Sequence, residues 1–119
     1  MFKNLKIIKL ENRALLKIKG EDSKEFLQAL VTNNINFISN EKSIYSALLS
    51  PQGKYLYDFF IFQDSKSNYL TIDCEKNSYQ ELVQKLTIYK LRSNVEITIQ
   101  DSINVYTIFG LDLIKFISN

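Results

Sequence analysis

The sequence predicts an α+β fold: an antiparallel-rich sheet with two main helices, in the order ββ-α-βββ-α-ββ. Three observations predict it. Short runs alternate apolar and polar residues with period two, the mark of a half-buried strand. Two longer segments space their apolar residues at i and i+4, each behind an acceptor-x-x-Glu box. The chain also lacks low-complexity tracts, internal repeats and any Pro- or Gly-rich linker. With 119 residues, 13.9 kDa, 45% hydrophobic and 24% charged, it is expected to form a single domain spanning 1–119.

The elements follow in order. Residues 5–19 read as two short strands joined near Glu11-Asn12, with Leu16 and Ile18 on one side and Leu15, Lys17 and Lys19 on the other. Gly20 breaks the run. Asp22-Ser23-Lys24-Glu25 has capping-box spacing, and Phe26/Leu30 with Leu27/Val31 carry a helix to about Val31. Thr32-Asn33-Asn34 ends it. Strands are expected at Ser43–Leu49, Lys54–Phe62 and Tyr69–Asp73, the first two joined by the turn Ser50-Pro51-Gln52-Gly53. Ser78-x-x-Glu81 opens a second helix whose inner stripe is Tyr79, Leu82, Val83, Leu86 and Tyr89 or Lys90. Val95, Ile97 and Ile99 alternate on one closing strand, and Ile103–Phe109 forms another. Gly110–Asn119 reads as the first turns of an apolar helix.

Composition removes several chemistries. Fifteen Lys and Arg against thirteen Asp and Glu leave +2, too near neutral for nucleic-acid binding, which needs a clustered positive field. No uncharged stretch approaches the ~18 apolar residues of a membrane span. One cysteine excludes an internal disulfide framework and a Cys-ligated zinc site. The absence of His removes imidazole metal ligands, Ser-His-Asp triads and Cys-His dyads. The N-terminus MFKNLKIIKLENRALLKIKG interrupts its apolar residues with Lys, so no signal-peptide core forms and a cytoplasmic address is expected. Fifteen Ile, thirteen Lys and eleven Asn look like the drift of an AT-rich bacterial genome.

Carboxylates and tyrosines are left to carry chemistry. Asp58 sits in Tyr55-Leu56-Tyr57-Asp58-Phe59-Phe60-Ile61-Phe62, where alternation puts it on one face with Leu56, Phe60 and Phe62. A carboxylate on that apolar face is expected to be sequestered from water, so it must be paired, hydrogen-bonded or protonated, and it becomes a candidate base or neutral donor. The plainer alternatives are a strand-end cap or a pairing with Lys54 or Arg92. Tyr45 lies on the neighbouring strand, within reach of Asp58, or is simply a core or interface tyrosine. Asp73 ends the third strand, where it lines a pocket or accepts at a helix entry. Cys74 beside it is expected to be an inert small hydrophobe, with no His to activate it. Arg92, one of two Arg among thirteen Lys, offers a planar fork for a ligand's carboxylate or for a structural one.

Three stretches in order carry a resemblance: Phe26-Leu27-Gln28-Ala29-Leu30-Val31-Thr32-Asn33-Asn34-Ile35, Tyr45-Ser46-Ala47-Leu48-Leu49-Ser50-Pro51-Gln52-Gly53-Lys54-Tyr55-Leu56-Tyr57-Asp58, and Leu86-Thr87-Ile88-Tyr89-Lys90-Leu91-Arg92-Ser93-Asn94-Val95. Together they resemble the N-terminal part of the YgfZ family of folate-binding proteins, relatives of the glycine-cleavage T-protein (aminomethyltransferase). The resemblance implies one repeat of a duplicated, strand-exchanged folate-binding domain, with tetrahydrofolate as the cofactor in a central cavity. For YgfZ members it implies help in iron–sulfur enzyme maturation. Asp58 falls at the position of the T-protein aspartate that meets the folate's reacting end, which makes it the candidate catalytic residue. Tyr45, thirteen residues earlier, matches a pterin-contacting tyrosine. Asp73 matches a polar pocket residue, and Arg92 lies in the family's Tyr-x-Leu-Arg segment.

The departures are also informative. The Lys-Gly-Cys and Gly-Gln-Glu signature of later YgfZ segments has no match here, and Cys74 is not that cysteine. The chain therefore resembles the first third to half of a complete member, a truncated domain. Two partnerships follow as expectations: a homodimer formed by strand exchange through residues 103–109, or association with a separately encoded second half. The alternative to a folate-binding module is a remnant, or one subunit of a split protein, without turnover of its own.

Overall fold

The computed structural model describes residues 4–63 and 66–118. The strands are β1 (Lys6–Lys9), β2 (Arg13–Lys19), β3 (Ile44–Leu49), β4 (Tyr55–Gln63), β5 (Leu70–Glu75), β6 (Glu96–Ile99) and β7 (Tyr106–Phe109). The helices are α1 (Ser23–Leu30), α2 (Tyr79–Lys90) and α3 (Leu113–Ser118), with a 3₁₀ turn at Ile35–Phe37. The α+β order expected from the sequence is the order found. The short 3₁₀ turn was not expected; Asn34 Oδ1 caps it by accepting from the Asn36 backbone N–H. Part of the polar connection expected between β4 and β5, residues 64 and 65, lies outside the described residues.

Five strands form one antiparallel sheet in the order β3-β4-β5-β2-β6. β1 does not join it. Although β1 and β2 are adjacent in sequence, β1 pairs with β7 in a separate two-stranded ribbon. The reason is visible at β2, whose two hydrogen-bonding edges are already filled by β5 and β6. The turn at Ser50–Gly53 joins β3 and β4 as expected, with the Ser50 N–H donating to the Lys54 carbonyl and Gly53 at φ +85°.

α1 and α2 cover one face of this sheet. Phe26 and Leu27 of α1 and Leu82 and Leu86 of α2 pack on Leu16, Ile18, Phe59, Ile61, Ile72 and Cys74. Each large apolar side chain buried there contributes about 1.5–3 kcal/mol. The boxes that announce the helices work differently from expectation. Neither Asp22 nor Ser78 caps its helix through its side chain. Asp22 Oδ2 instead accepts from the Asn94 backbone N–H at 2.7 Å, and Glu81 accepts from the Tyr57 hydroxyl at 3.0 Å. These carboxylates tie the helices to the sheet and its loops rather than closing their own first turns. Among the described residues, no helix is long and apolar enough to cross a membrane.

Candidate functional site

Strand register fixes which residues share the sheet's other face, the one the two main helices leave uncovered. Directly opposed residues in antiparallel strands point to the same side. Tyr45 opposes Phe60, Phe60 opposes Asp73, and Asp73 opposes Leu15, so one row crosses four strands. On one side of this row lies the pair Ala47 and Asp58; on the other lie Phe62, Thr71 and Lys17.

The site expected from the sequence is thus partly assembled and partly corrected. Asp58, Phe60 and Phe62 do share a face. It is not the buried one: the core takes Phe59 and Ile61. β4 carries aromatic residues on both faces, so alternation alone could not tell which face the helices would cover. Asp58 is half-buried, and it pairs with neither Lys54 nor Arg92 through any bond among the described residues. Its Oδ2 accepts a hydrogen bond from the Tyr45 hydroxyl.

Tyr45 and Phe60 present flat apolar surface. They are 55% and 44% exposed, with ring centres 5.1 Å apart and planes tilted by 50°. The hydrogen bond to Asp58 raises the Tyr45 hydroxyl above the ordinary tyrosine range, with some help from desolvation. Tyr55 is raised too, first by desolvation and then by the Asp58 charge. Both phenols therefore stay protonated, Tyr45 chiefly through its bond to Asp58 and Tyr55 chiefly through desolvation.

Asp73 lies one strand further on. Arg13 Nε donates to its Oδ1 at 2.8 Å, and Arg13 Nη2 donates to its backbone carbonyl at 2.9 Å. Arg13 is the residue sequence reasoning missed. The scarcity of Arg was the right signal, but it drew attention to Arg92. Arg92 is exposed beyond the end of α2 and lines a groove with Asp22, Glu25 and Phe26 on the helix side. It does not join Tyr45, Asp58 and Asp73, which the sheet itself separates from it.

Cys74 follows Asp73 but points into the core, where its Sγ donates to the Ala14 carbonyl at 3.6 Å. Burial pushes its thiol up to about 11, consistent with an inert role. Beside the row, the loop 39–43 with Phe60, Phe62, Gln63 and Asp73 borders an open, shallow hollow of about 380 Å³. Among the described residues, no group of three or more Cys, Asp or Glu could hold a metal ion. On this face Tyr45 and Phe60 offer ring surface, and Asp58 and Asp73 offer carboxylate acceptors.

Among solved structures, the chain is similar to the glycine cleavage system aminomethyltransferase T from Bartonella henselae. The TM-score is 0.79 over 91% of this chain and 29% of that one, at 14% identity. The fold is that of a T-protein-like domain. Among curated proteins, the chain is similar to proteins named iron-sulfur cluster assembly factor IBA57 homolog, mitochondrial. The Neurospora crassa relative is 32% identical over 101 residues, covering 80% of this chain and 23% of the relative. The Pyricularia oryzae relative is 33% identical over 95 residues, covering 77% and 24%. The Dictyostelium discoideum relative is 28% identical over 127 residues, covering 86% and 31%. No family model matches the chain.

The expected T-protein-like folate-binding fold is thus found, and in sequence the chain is similar to iron–sulfur cluster assembly factors. The chain spans between 23% and 31% of the length of these relatives. One expectation is overturned. The N-terminal Lys pattern argued for a cytoplasmic address, whereas these relatives are named as mitochondrial.

Proposed function

We propose that the chain is a tetrahydrofolate-binding module of the YgfZ type that serves iron–sulfur cluster protein maturation. The observation that carries the folate half is the row Tyr45–Phe60–Asp73 with Asp58 beside it, on a sheet face free of the two main helices. A pterin has a flat face and an edge of adjacent N–H donors. The face stacks on Tyr45 and Phe60, and the edge donates to the Asp58 carboxylate as a charge-assisted pair. Asp73, held still by Arg13, supplies a second acceptor without a further ordering cost. The names of the curated relatives support the iron–sulfur half.

Binding without turnover is the role this arrangement supports best. An aminomethyltransferase-type transfer, the alternative in which Asp58 meets the ligand's reacting end instead of the pterin edge, would show as folate-dependent exchange in a glycine-cleavage partial assay. Saturable quenching of tyrosine fluorescence by tetrahydrofolate, with a rise in thermal midpoint near ~100 µM ligand, is the expected result. The absence of both effects at that concentration overturns the folate reading.

A second reading concerns assembly. Ile7, Ile8, Tyr106, Phe109, Leu111, Ile114 and Ile117 of the β1–β7 ribbon and α3 region are exposed. The ribbon is two strands wide, so each strand keeps one unpaired edge. We propose that a second copy covers this surface by strand exchange, or that a separately encoded second half does. Light scattering at micromolar concentration reads a dimer in the first case and a monomer awaiting its partner in the second.

A further inference from the structure

The backbone corrects one expectation from the sequence: the chain does carry an internal repeat. Asn4, Gly20, Asp22 and Phe26 recur ninety positions later as Asn94, Gly110, Asp112 and Phe116. Their surroundings recur with them. Gly20 and Gly110 stand at φ +127° and +139°, and a Cβ on each would strike the backbone carbonyl of Asn94 and of Asn4. The Asp22 carboxylate accepts from the Asn94 N–H, and the Asp112 carboxylate accepts from the Asn4 N–H. The Gln100 N–H donates to the Leu15 carbonyl, and the Leu10 N–H to the Val105 carbonyl. β2 with β6 and α1 is thus repeated as β7 with β1 and α3, and the two strand pairs share one register.

The two copies differ in what covers them. In the first, β5 fills the second edge of β2, and Phe26 and Leu27 are 7% and 0% exposed. In the second, nothing among the described residues fills that edge of β7, and the equivalent Phe116 and Ile117 are 40% and 70% exposed. The free edge has a defined polarity. In an antiparallel pair only alternate residues bond to a given neighbour. Val105 bonds toward β1, so Tyr106 and Ile108 turn their N–H and C=O groups outward. Their equivalents in β2, Leu16 and Ile18, oppose Ile72 and Leu70 of β5. By the same comparison the outer edge of β1 needs no partner, because its equivalent β6 ends the five-stranded sheet.

We propose that the outer edge of β7 accepts a β5-like strand from a partner polypeptide, not from a second copy of this chain. The strand adds antiparallel, with apolar residues opposite Tyr106 and Ile108, and a helix of the same partner covers Phe116 and Ile117. The proposal rests on the assembly reading above and chooses between its two occupants. A second copy has no such strand to give, since its β5 is bonded on one edge by β4 and on the other by β2. The curated relatives have the length to hold the missing unit, since the part matched by this chain covers only 23% to 31% of them. Edge addition draws affinity from main-chain hydrogen bonds and specificity from alternate side chains, here the apolar pair opposite Tyr106 and Ile108.

The probe is a synthetic peptide of residues 68–77, the β5 segment with its flanks, and the reading is amide hydrogen exchange of the whole chain. At about 1 mM peptide the Tyr106 and Ile108 amides are expected to slow roughly tenfold. Thr107, paired with Ile8 of β1, should keep its rate. The same peptide N-methylated at Leu70 and Ile72, the residues whose N–H groups face β2, should have no effect. Without peptide the chain should sediment as a monomer at micromolar concentration. A dimer overturns the proposal in favour of a second copy and leaves the assembly reading standing. A monomer whose Tyr106 and Ile108 amides ignore the peptide overturns both.

Discussion

The Arg13 guanidinium holds Asp73 at two points, donating from Nε to the carboxylate at 2.8 Å and from Nη2 to the backbone carbonyl at 2.9 Å. Each side chain is 18% exposed, so the pair is partly withdrawn from water. Leu15, not Arg13, is the residue opposed to Asp73, so the guanidinium reaches diagonally between β2 and β5. A planar fork suits that geometry, and a lysine ammonium does not reproduce it. Arg13→Ala should therefore lower stability by about 1–3 kcal/mol in urea unfolding. Arg13→Lys should recover only part of the loss. A wild-type midpoint for Arg13→Lys would contradict the two-point grip.

The entry to α1 depends on a close backbone approach. Gly20 sits at φ +127°, and a Cβ there would stand 2.2 Å from the Asn94 carbonyl oxygen. The same loop is held by Asp22, which accepts from the Asn94 N–H. Gly20→Ala combines a disfavoured conformation with a collision against backbone, so a loss of roughly 1–3 kcal/mol or more is expected. Asp22→Ala should cost about 1 kcal/mol through the lost bond. Chemical denaturation of both variants checks the order of the two effects.

Within α2, neighbouring apolar residues should respond very differently. Leu86 is fully buried against the sheet, and Ile88 is 66% exposed. Leu86→Ala is expected to cost about 2–5 kcal/mol, and Ile88→Ala about 0.5 kcal/mol or less. Comparable losses at the two positions would mean that α2 does not pack on its Leu82–Leu86 stripe.

Alkaline pH should destabilise the fold in a defined window. Burial raises the Cys74 thiol from 9.0 to about 11. A group whose folded value lies above its unfolded value adds stability below the unfolded value and loses it as pH climbs to the folded one. Stability should therefore fall between pH 9 and about 11, by roughly 2–3 kcal/mol from this group. Tyr45, Tyr55 and Tyr57, all raised from 10.0, extend the fall in the same direction. Cys74→Ala should flatten the first part of the fall, near pH 9–10, and leave the later part.

What the sequence disclosed was local, and what it hid was pairing. The α2 stripe could be read from spacing, and Leu82 and Leu86 are indeed buried. So could the turn at 50–53 and the shared face of Asp58, Phe60 and Phe62. Which face of β4 would be buried could not, because Phe59 and Ile61 on one side and Phe60 and Phe62 on the other are equally apolar. Arg13 was invisible for a related reason. Its partner Asp73 is sixty residues away, and only the register of β2 against β5 brings them together. β1 misled in the same way, since adjacency in sequence implied a hairpin that the filled edges of β2 forbid.

The claim on which the functional account turns is that the uncovered face of the five-stranded sheet takes the pterin. Solution NMR during a tetrahydrofolate titration reads this residue by residue. Progressive, saturable shifts are expected for Tyr45, Asp58, Phe60 and Asp73, with the α1–α2 groove around Arg92 unmoved. Shifts confined to that groove, or a spectrum that does not change, would contradict it.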